Sequence, residues 1–386
     1  MFFPTTTQHY FSHRINREVK EIYWESFLAN FALALVFIFE PVYLYILTHS
    51  LISILWFYVQ VYAWYIALVC FGAKFAGKYG YKHSIFLSNI FYIVYWIMLY
   101  FIRDYSALFY VAPIFFAIQK SFLWPAFNAD VAMFDVKKQR GREVGMLLSI
   151  QEIAFITAPF LGGLIATKIG FLTLFILASI MMLLSIIPLF RTPDIFMRHK
   201  FQFKNLWRVF KVHKQNFFGY WGYAEDLMVM SLWPVYIFII VPVFASIGLL
   251  TAIAMLVAVV LMLYIGQSYD HSNKQFLIER NSLFYGLSWL FRGLATSIPV
   301  VLMFDVATKM LKSLVYVPVL ALTFELAGSQ GADYAIAYSV FFEFSLAVGK
   351  IVTALAAIWI LSITGNIYIV FGFAGIMTMF YGILKK

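Results

Sequence analysis

Charge is what this sequence has least of. Of its 386 residues only 12% are Asp, Glu, Lys or Arg, about half the roughly 25% of an ordinary soluble domain. A water-soluble fold of this length has too little interior for a chain that is 63% hydrophobic, whereas a bilayer accommodates it. The single cysteine, Cys70, excludes an internal disulfide and any cysteine-based metal cluster. The histidines (His9, His13, His49, His83, His199, His213 and His271) fall in tails, loops or the ends of apolar runs. No Gly-rich phosphate cradle or Walker pattern occurs. These absences argue against a membrane-embedded enzyme and against an ATP-driven pump, and no metal or cofactor is expected. Alternating runs of about ten residues, the signature of a membrane β-barrel, are also missing. The first twenty residues are polar and basic and lack the apolar core of a cleavable signal peptide. The first apolar run is therefore expected to serve as the insertion signal.

What is present is a series of apolar runs, each long enough to cross about 30 Å of hydrocarbon at 1.5 Å per helical residue. Twelve are expected, near 24–47, 51–73, 84–102, 106–131, 144–167, 171–190, 217–240, 244–266, 282–304, 306–327, 335–361 and 366–384. The expected fold is an all-α integral membrane protein. Basic residues outside the runs fall almost entirely on one side. Arg14, Arg17 and Lys20, then Lys74, Lys78 and Lys82, then Lys137, Lys138, Arg140 and Arg142 occupy alternate connections, as do Lys274, Arg280, Lys385 and Lys386. Arg103 and Lys168 are the exceptions. The positive-inside rule then places both termini in the cytoplasm of a multi-pass protein, expected in the plasma membrane. The net charge of +10 is accounted for by contact with anionic lipid at that face, not by nucleic acid.

Displacing the chain by half its length, 193 residues, superposes the first run on the seventh, the second on the eighth, and the last two of each half. Pro125 lands on Pro318. Six runs per half imply parallel repeats about an axis along the membrane normal. The expected organisation is a six-helix bundle over 1–190, a basic cytoplasmic linker over 191–216 and a second bundle over 217–386.

Two local patterns accompany the repeat. Between the second and third runs stands Ala73-Lys74-Phe75-Ala76-Gly77-Lys78-Tyr79-Gly80-Tyr81-Lys82, and the offset brings onto it Gly266-Gln267-Ser268-Tyr269-Asp270-His271-Ser272-Asn273-Lys274-Gln275. In the fifth run Gly145, Ala154, Ala158, Pro159, Gly162 and Gly163 form a spaced series of small residues, which lets helices approach closely, with a proline that bends the helix. These features resemble the major facilitator superfamily, whose loop pattern is G-x-L-A-D-[RK]-x-G-x-[RK]. Ala76, Lys78, Gly80 and Lys82 fit the first copy, where Gly77 replaces the aspartate. The second copy keeps Gly266 and Asp270, with Lys274 alongside. The resemblance implies that Gly77, Lys78, Gly80, Lys82, Gly266, Asp270 and Lys274 lie in conformational-switch loops. It also implies that the fifth-run series is that of exporters exchanging solute for protons; close packing against the eighth run is its simpler reading.

A charge at mid-bilayer costs about 2.5–3.5 kcal/mol on insertion scales, so such charges mark function or a firm partner. Glu25, Asp130, Lys309 and Glu325 are expected near run ends, Asp130 with Arg140 or Arg142. Lys120 and Glu152 sit mid-run and suit an ion pair. Glu343 and Lys350, seven apart, share a helix face, and Lys312 is within reach of Glu343. Glu225 and Asp226 lie about 100° apart around one helix. A carboxylate in a low-dielectric cavity keeps its proton more readily than in water, as proton carriage requires. The carrier candidates are Glu152, Glu343 and Glu40, in that order. Lys120, Lys312, Lys350, Glu225, Asp226, Tyr62 and Gln60 are candidates for cavity ion pairs or substrate contacts. Most Tyr and Trp in 51–102 are expected at the lipid surface or interface, and Arg292 as a brace. The expected function is secondary active transport of a small organic solute by a monomer, by alternating access, with proton-coupled export first and facilitative or proton-symport uptake second. A non-transporting sensor or scaffold is the reading from another class.

Overall fold

A computed structural model of the chain describes residues 17–133, 140–191, 200–266 and 274–385. Among these every regular element is helical. In order they are α1 (Arg17–Val36), α2 (Phe39–Thr48), α3 (Leu51–Tyr79), α4 (Tyr81–Phe101), α5 (Leu108–Met133), α6 (Arg140–Lys168) and α7 (Phe171–Leu189). There follow α8 (Phe203–Val212), α9 (Lys214–Gly219), α10 (Ala224–Met230), α11 (Leu232–Ile240), α12 (Phe244–Gly266), α13 (Lys274–Leu290), α14 (Ile298–Ala327), α15 (Ala332–Thr364) and α16 (Ile367–Met379). Nine helical segments among the described residues are long and apolar enough to cross a membrane, and Phe244–Val260 and Ile367–Ile383 are shorter apolar helices. The remaining expected run corresponds to α13.

Two of the spanning segments are interrupted, each three to four residues before a proline. Tyr23–Thr48 turns at Phe37 and Ile38, between α1 and α2. Pro41 has no N–H for the carbonyl of Phe37 and its ring crowds that turn. Lys214–Ile240 breaks at Ser231 between α10 and α11, where Pro234 denies a bond to the carbonyl of Met230. The expected run at 282–304 is corrected. Helix α13 stops at Leu290, a short 3-10 turn covers Arg292–Leu294, and α14 begins at Ile298. Ser297 is extended and precedes Pro299 in the first turn, a position where proline's fixed φ suits a helix start. This places Asp305 and Lys309 inside α14 rather than at its edge.

Helix α3 packs on α5, α1 on α6 and α7, and α4 on α5. In the second half α13 packs on α14 and α16, and α12 on α14. Between the halves α6 packs on α12, and α3 and α5 on α15. The α6–α12 contact has no room for side chains. A Cβ on Gly163 would strike the carbonyl oxygen of Phe244, and one on Gly248 that of Pro159. Gly162 abuts Leu35 of α1 in the same way, and Ala154 and Ala158 are fully buried. Thr167 Oγ1 accepts from the amide of Ala245 at 3.0 Å. The small-residue series is thus a packing seam to both α1 and α12 wherever it is described.

Between α3 and α4 the chain turns on Gly80, at φ 96°, a conformation open to glycine and strained for other residues. Gly77 and Lys78 lie in the last turns of α3, and Lys78 caps the face of Tyr79 at 4.9 Å. Lys82 in the first turn of α4 is buried and pairs with Glu21 of α1 at 3.3 Å. Asp270 lies outside the described residues, as do the surroundings of Gly145, Gly266 and Lys274 and the side chains of Asp130, Arg140 and Arg142.

Candidate functional site

Four clusters of buried or half-buried charged side chains lie within the bundle. The first joins the two halves. Glu343 of α15 is buried, and its carboxylate accepts from the Tyr65 hydroxyl of α3 at 2.9 Å and from the Asn128 amide of α5 at 2.7 Å. Both donors are neutral. Lys312 is not its partner, contrary to the expectation above.

The second group is a chain of ions in the second half. Asp226 of α10 lies between two ammonium groups, Lys312 of α14 at 2.7 Å and Lys350 of α15 at 3.0 Å. Lys312 also lies 3.5 Å from Glu225, whose other oxygen accepts from the Tyr285 hydroxyl of α13 at 2.7 Å. Lys350 extends the chain to the first half by donating to the Tyr62 hydroxyl at 3.2 Å. Two adjacent carboxylates sharing one lysine follow from the 100° helical step, which turns Asp226 toward α15 and leaves Glu225 facing α13. The side chains of Asp226 and Lys312 keep 32% and 24% of their accessibility in mid-span. Glu225 keeps none.

The third and fourth clusters lie one in each half, Glu40 in the first and Asp305, Lys309 and Arg292 in the second. Glu40 of α2 is buried against α4, accepting from the Trp96 indole at 2.6 Å and the Tyr95 hydroxyl at 3.2 Å. All of its partners belong to the first half. Asp305 of α14 pairs with Lys309 one turn on and accepts from the Trp233 indole at 3.1 Å. Arg292, 1% exposed, lies between two indoles, 3.8 Å from the Trp289 ring centroid and 4.3 Å from that of Trp233. Its Nε and Nη1 have no hydrogen-bond partner.

Lys120 and Glu152 do not form the expected pair. The Lys120 ammonium stands 4.5 Å from the Phe116 ring centroid and 5.8 Å from that of Tyr62. It is within electrostatic reach of both Glu40 and Glu343. Glu152 is within reach of Lys309 and Lys312 on α14 instead. The reason is directional. Residues on neighbouring helices meet only where their faces converge, and α6 turns its seam of small residues to α1 and α12. Gln60 is set apart from this centre. Its amide donates to its own helix at Trp56, and it lines a shallow pocket with Ser53, Trp56, Phe109 and Tyr110. The aromatic expectation is likewise corrected. Tyr58, Tyr62, Tyr65, Tyr92, Tyr95 and Trp96 are buried, whereas Trp56 and Trp64 are exposed. The buried rings supply the donors that carboxylates need inside a bilayer.

Sequence reading passes over Tyr65 as a ligand, and over Asn128, Tyr285, Asp305 and Trp233. Apart from the Asp305–Lys309 pair, which has the i,i+4 spacing of one helix turn, their partners stand tens to hundreds of residues away, and no local spacing marks them. Polar residues embedded in apolar runs were the available signal.

The sequence matches the Major Facilitator Superfamily over residues 26–342. No curated protein matches it. Among solved structures it is similar to the human organic anion transporter MFSD10 (TETRAN), with a TM-score of 0.66 at 13% identity over 95% of this chain and 99% of that one. It is also similar to a D-xylose–proton symporter, with a TM-score of 0.67 at 12% identity over 94% and 96% of the two chains. With nine apolar segments of spanning length among the described residues and a match over most of its length, the chain belongs to the Major Facilitator Superfamily, as a membrane transporter and not an enzyme.

Proposed function

We propose that this chain carries a small organic solute across the membrane by alternating access, exchanging it for protons in the export direction, with Glu343 as the proton carrier. The observation that supports this most is the double hydrogen bond of Glu343 across the halves, to Tyr65 and Asn128. An ionised carboxylate accepts from both donors; protonation turns one oxygen into a donor and weakens the clasp between α15 and the helices it holds. The state of one proton is thereby tied to the relative position of the halves. Glu40 has no such leverage, because its partners share its half. Glu152, the first-ranked carrier on sequence grounds, has no cross-half bond. In this reading 1–190 and 217–386 move as two bundles joined by the basic linker, in a monomer with cytoplasmic termini in the plasma membrane. The direction rests on the resemblance of the Ala154–Gly163 series to exporters. Proton-symport uptake is the second reading, favoured by the fold shared with a D-xylose–proton symporter. Solute flux in proteoliposomes under an imposed pH gradient tests the coupling. Flux unaltered by the gradient overturns it, and flux running with the proton gradient selects the second reading.

A further inference from the structure

Among the described residues, the lysines of the second-half charged clusters are paired with carboxylates, and Lys120 of the first half is not. Asp226 is shared by Lys312 and Lys350, Asp305 holds Lys309, and Glu343 and Glu40 are satisfied by hydroxyl, amide and indole donors. Lys120, near the middle of α5 and half-buried, has no carboxylate within the 4.0 Å of an ion pair and no hydrogen-bond acceptor. An ammonium carries three donors. The two ring faces attract the charge but provide no oxygen or nitrogen acceptor for those N–H groups. The groups around it are the Phe116 and Tyr62 rings, with Glu40 and Glu343 farther off within electrostatic reach. The Lys350 ammonium lies 5.0 Å from the same Tyr62 ring but is paired with Asp226 at 3.0 Å. The charge left without a counter-ion beside Tyr62 is that of Lys120, and the surfaces beside it are aromatic.

We infer that Lys120 is the binding point for the carboxylate of an aromatic organic anion, whose ring packs against Phe116 and Tyr62. This rests on the reading of the chain as a solute carrier with a mid-depth site, and deepens it by naming the substrate class. The anion gives Lys120 the acceptor that the described residues do not supply. A neutral analogue of the same shape leaves its charge unbalanced, and a cationic one meets it with like charge.

The test uses the purified full-length protein in detergent and three probes of one size: benzoate, benzyl alcohol and benzylamine. The readout is the ligand-dependent shift of the thermal midpoint. Benzoate is expected to raise it saturably, and the alcohol and the amine are not. In Lys120→Gln the benzoate affinity falls by at least about tenfold, or about 1.4 kcal/mol. Lys120→Arg, which keeps the charge, retains most of it. Phe116→Leu leaves the charge in place and guards against a folding defect in the lysine variants. It weakens benzoate more than cyclohexanecarboxylate, which lacks a π face. Equal shifts with benzoate and benzyl alcohol overturn the inference. So does the absence of a benzoate shift, or wild-type benzoate binding by a folded Lys120→Gln. Benzoate that binds through Lys120 without crossing proteoliposome membranes counts against the transport reading alone. A neutral solute driven by the pH gradient in wild type and Lys120→Gln alike counts against the inference alone.

Discussion

The Asn128 amide donates to the Glu343 carboxylate at 2.7 Å, so that α5 of the first half and α15 of the second are fastened by one hydrogen bond. The acceptor is the carboxylate proposed above as the proton carrier. Glu343→Gln is a permanently uncharged mimic of the protonated carrier. Gradient-driven accumulation is expected to be abolished, while counterflow exchange of the same solute, which needs no net proton movement, is retained. Asn128→Ala, which spares the carboxylate, is expected to shift the pH profile of transport and leave coupling in place. Parallel counterflow and gradient assays in proteoliposomes separate these outcomes.

Asp226 joins Lys312 and Lys350. Breaking a buried pair by removing one partner costs about 3–5 kcal/mol. Asp226 keeps a third of its accessibility, which brings the expected cost of Asp226→Asn toward the lower end. Adding Lys350→Met to Asp226→Asn is expected to restore part of the loss, because the orphaned ammonium goes with it. Thermal midpoints of the two single variants and the double variant form the cycle that measures this, and a double variant less stable than Asp226→Asn would sink the prediction.

At the α6–α12 seam, Gly163→Ala places a Cβ against the carbonyl of Phe244. Backbone cannot swing aside as a side chain does. Overpacking of this kind costs about 1–3 kcal/mol. Gly372→Ala meets only a Leu290 methyl at 3.4 Å, ordinary contact, and is expected to leave the midpoint within about 0.5 kcal/mol of wild type. Equal effects at the two sites would contradict the seam.

His213 lies between α8 and α9, outside the spanning segments, and its ring meets the Tyr334 hydroxyl at 3.0 Å. Burial disfavours its imidazolium and holds its pKa below the ordinary histidine value. The unfolded chain then binds more protons than the folded one, so stability rises with pH across this window. The contribution is complete above about pH 6.5, the unfolded value, and fades as pH falls below it. His213→Asn is expected to flatten that portion of the stability–pH curve, measured as the difference from wild type between pH 5 and 8.

How far the sequence carries varies by level. The all-helical membrane fold and the family are legible from apolar run length and from two degenerate patterns at one offset, because the bilayer imposes length directly on sequence. Helix interruptions are less so. Pro41 and Pro234 mark theirs, but the gap from Phe291 to Ser297 is short and flanked by long apolar runs, and a span-length hydropathy window averages over its Arg292, Gly293, Thr296 and Ser297. The charged centre is legible in membership and not in pairing. Glu343, Asp226, Lys312 and Lys350 stand out as ions in apolar runs; that Asn128 and Tyr65 serve Glu343, or that Lys120 misses Glu152, depends on helix rotation and crossing, which one sequence does not encode locally. Aromatics mislead for a related reason. Tyr95 and Trp96 have the composition of an interfacial belt, and only their facing Glu40 reveals them as interior donors.

Tyr62 presents one ring to two ammonium groups, Lys120 from its own half and Lys350 from the other. Lys350 already has Asp226 at 3.0 Å, and Lys120 has no carboxylate among the described residues at that distance. One aromatic ring is therefore the common border of a compensated charge and an uncompensated one, contributed by opposite halves of the chain.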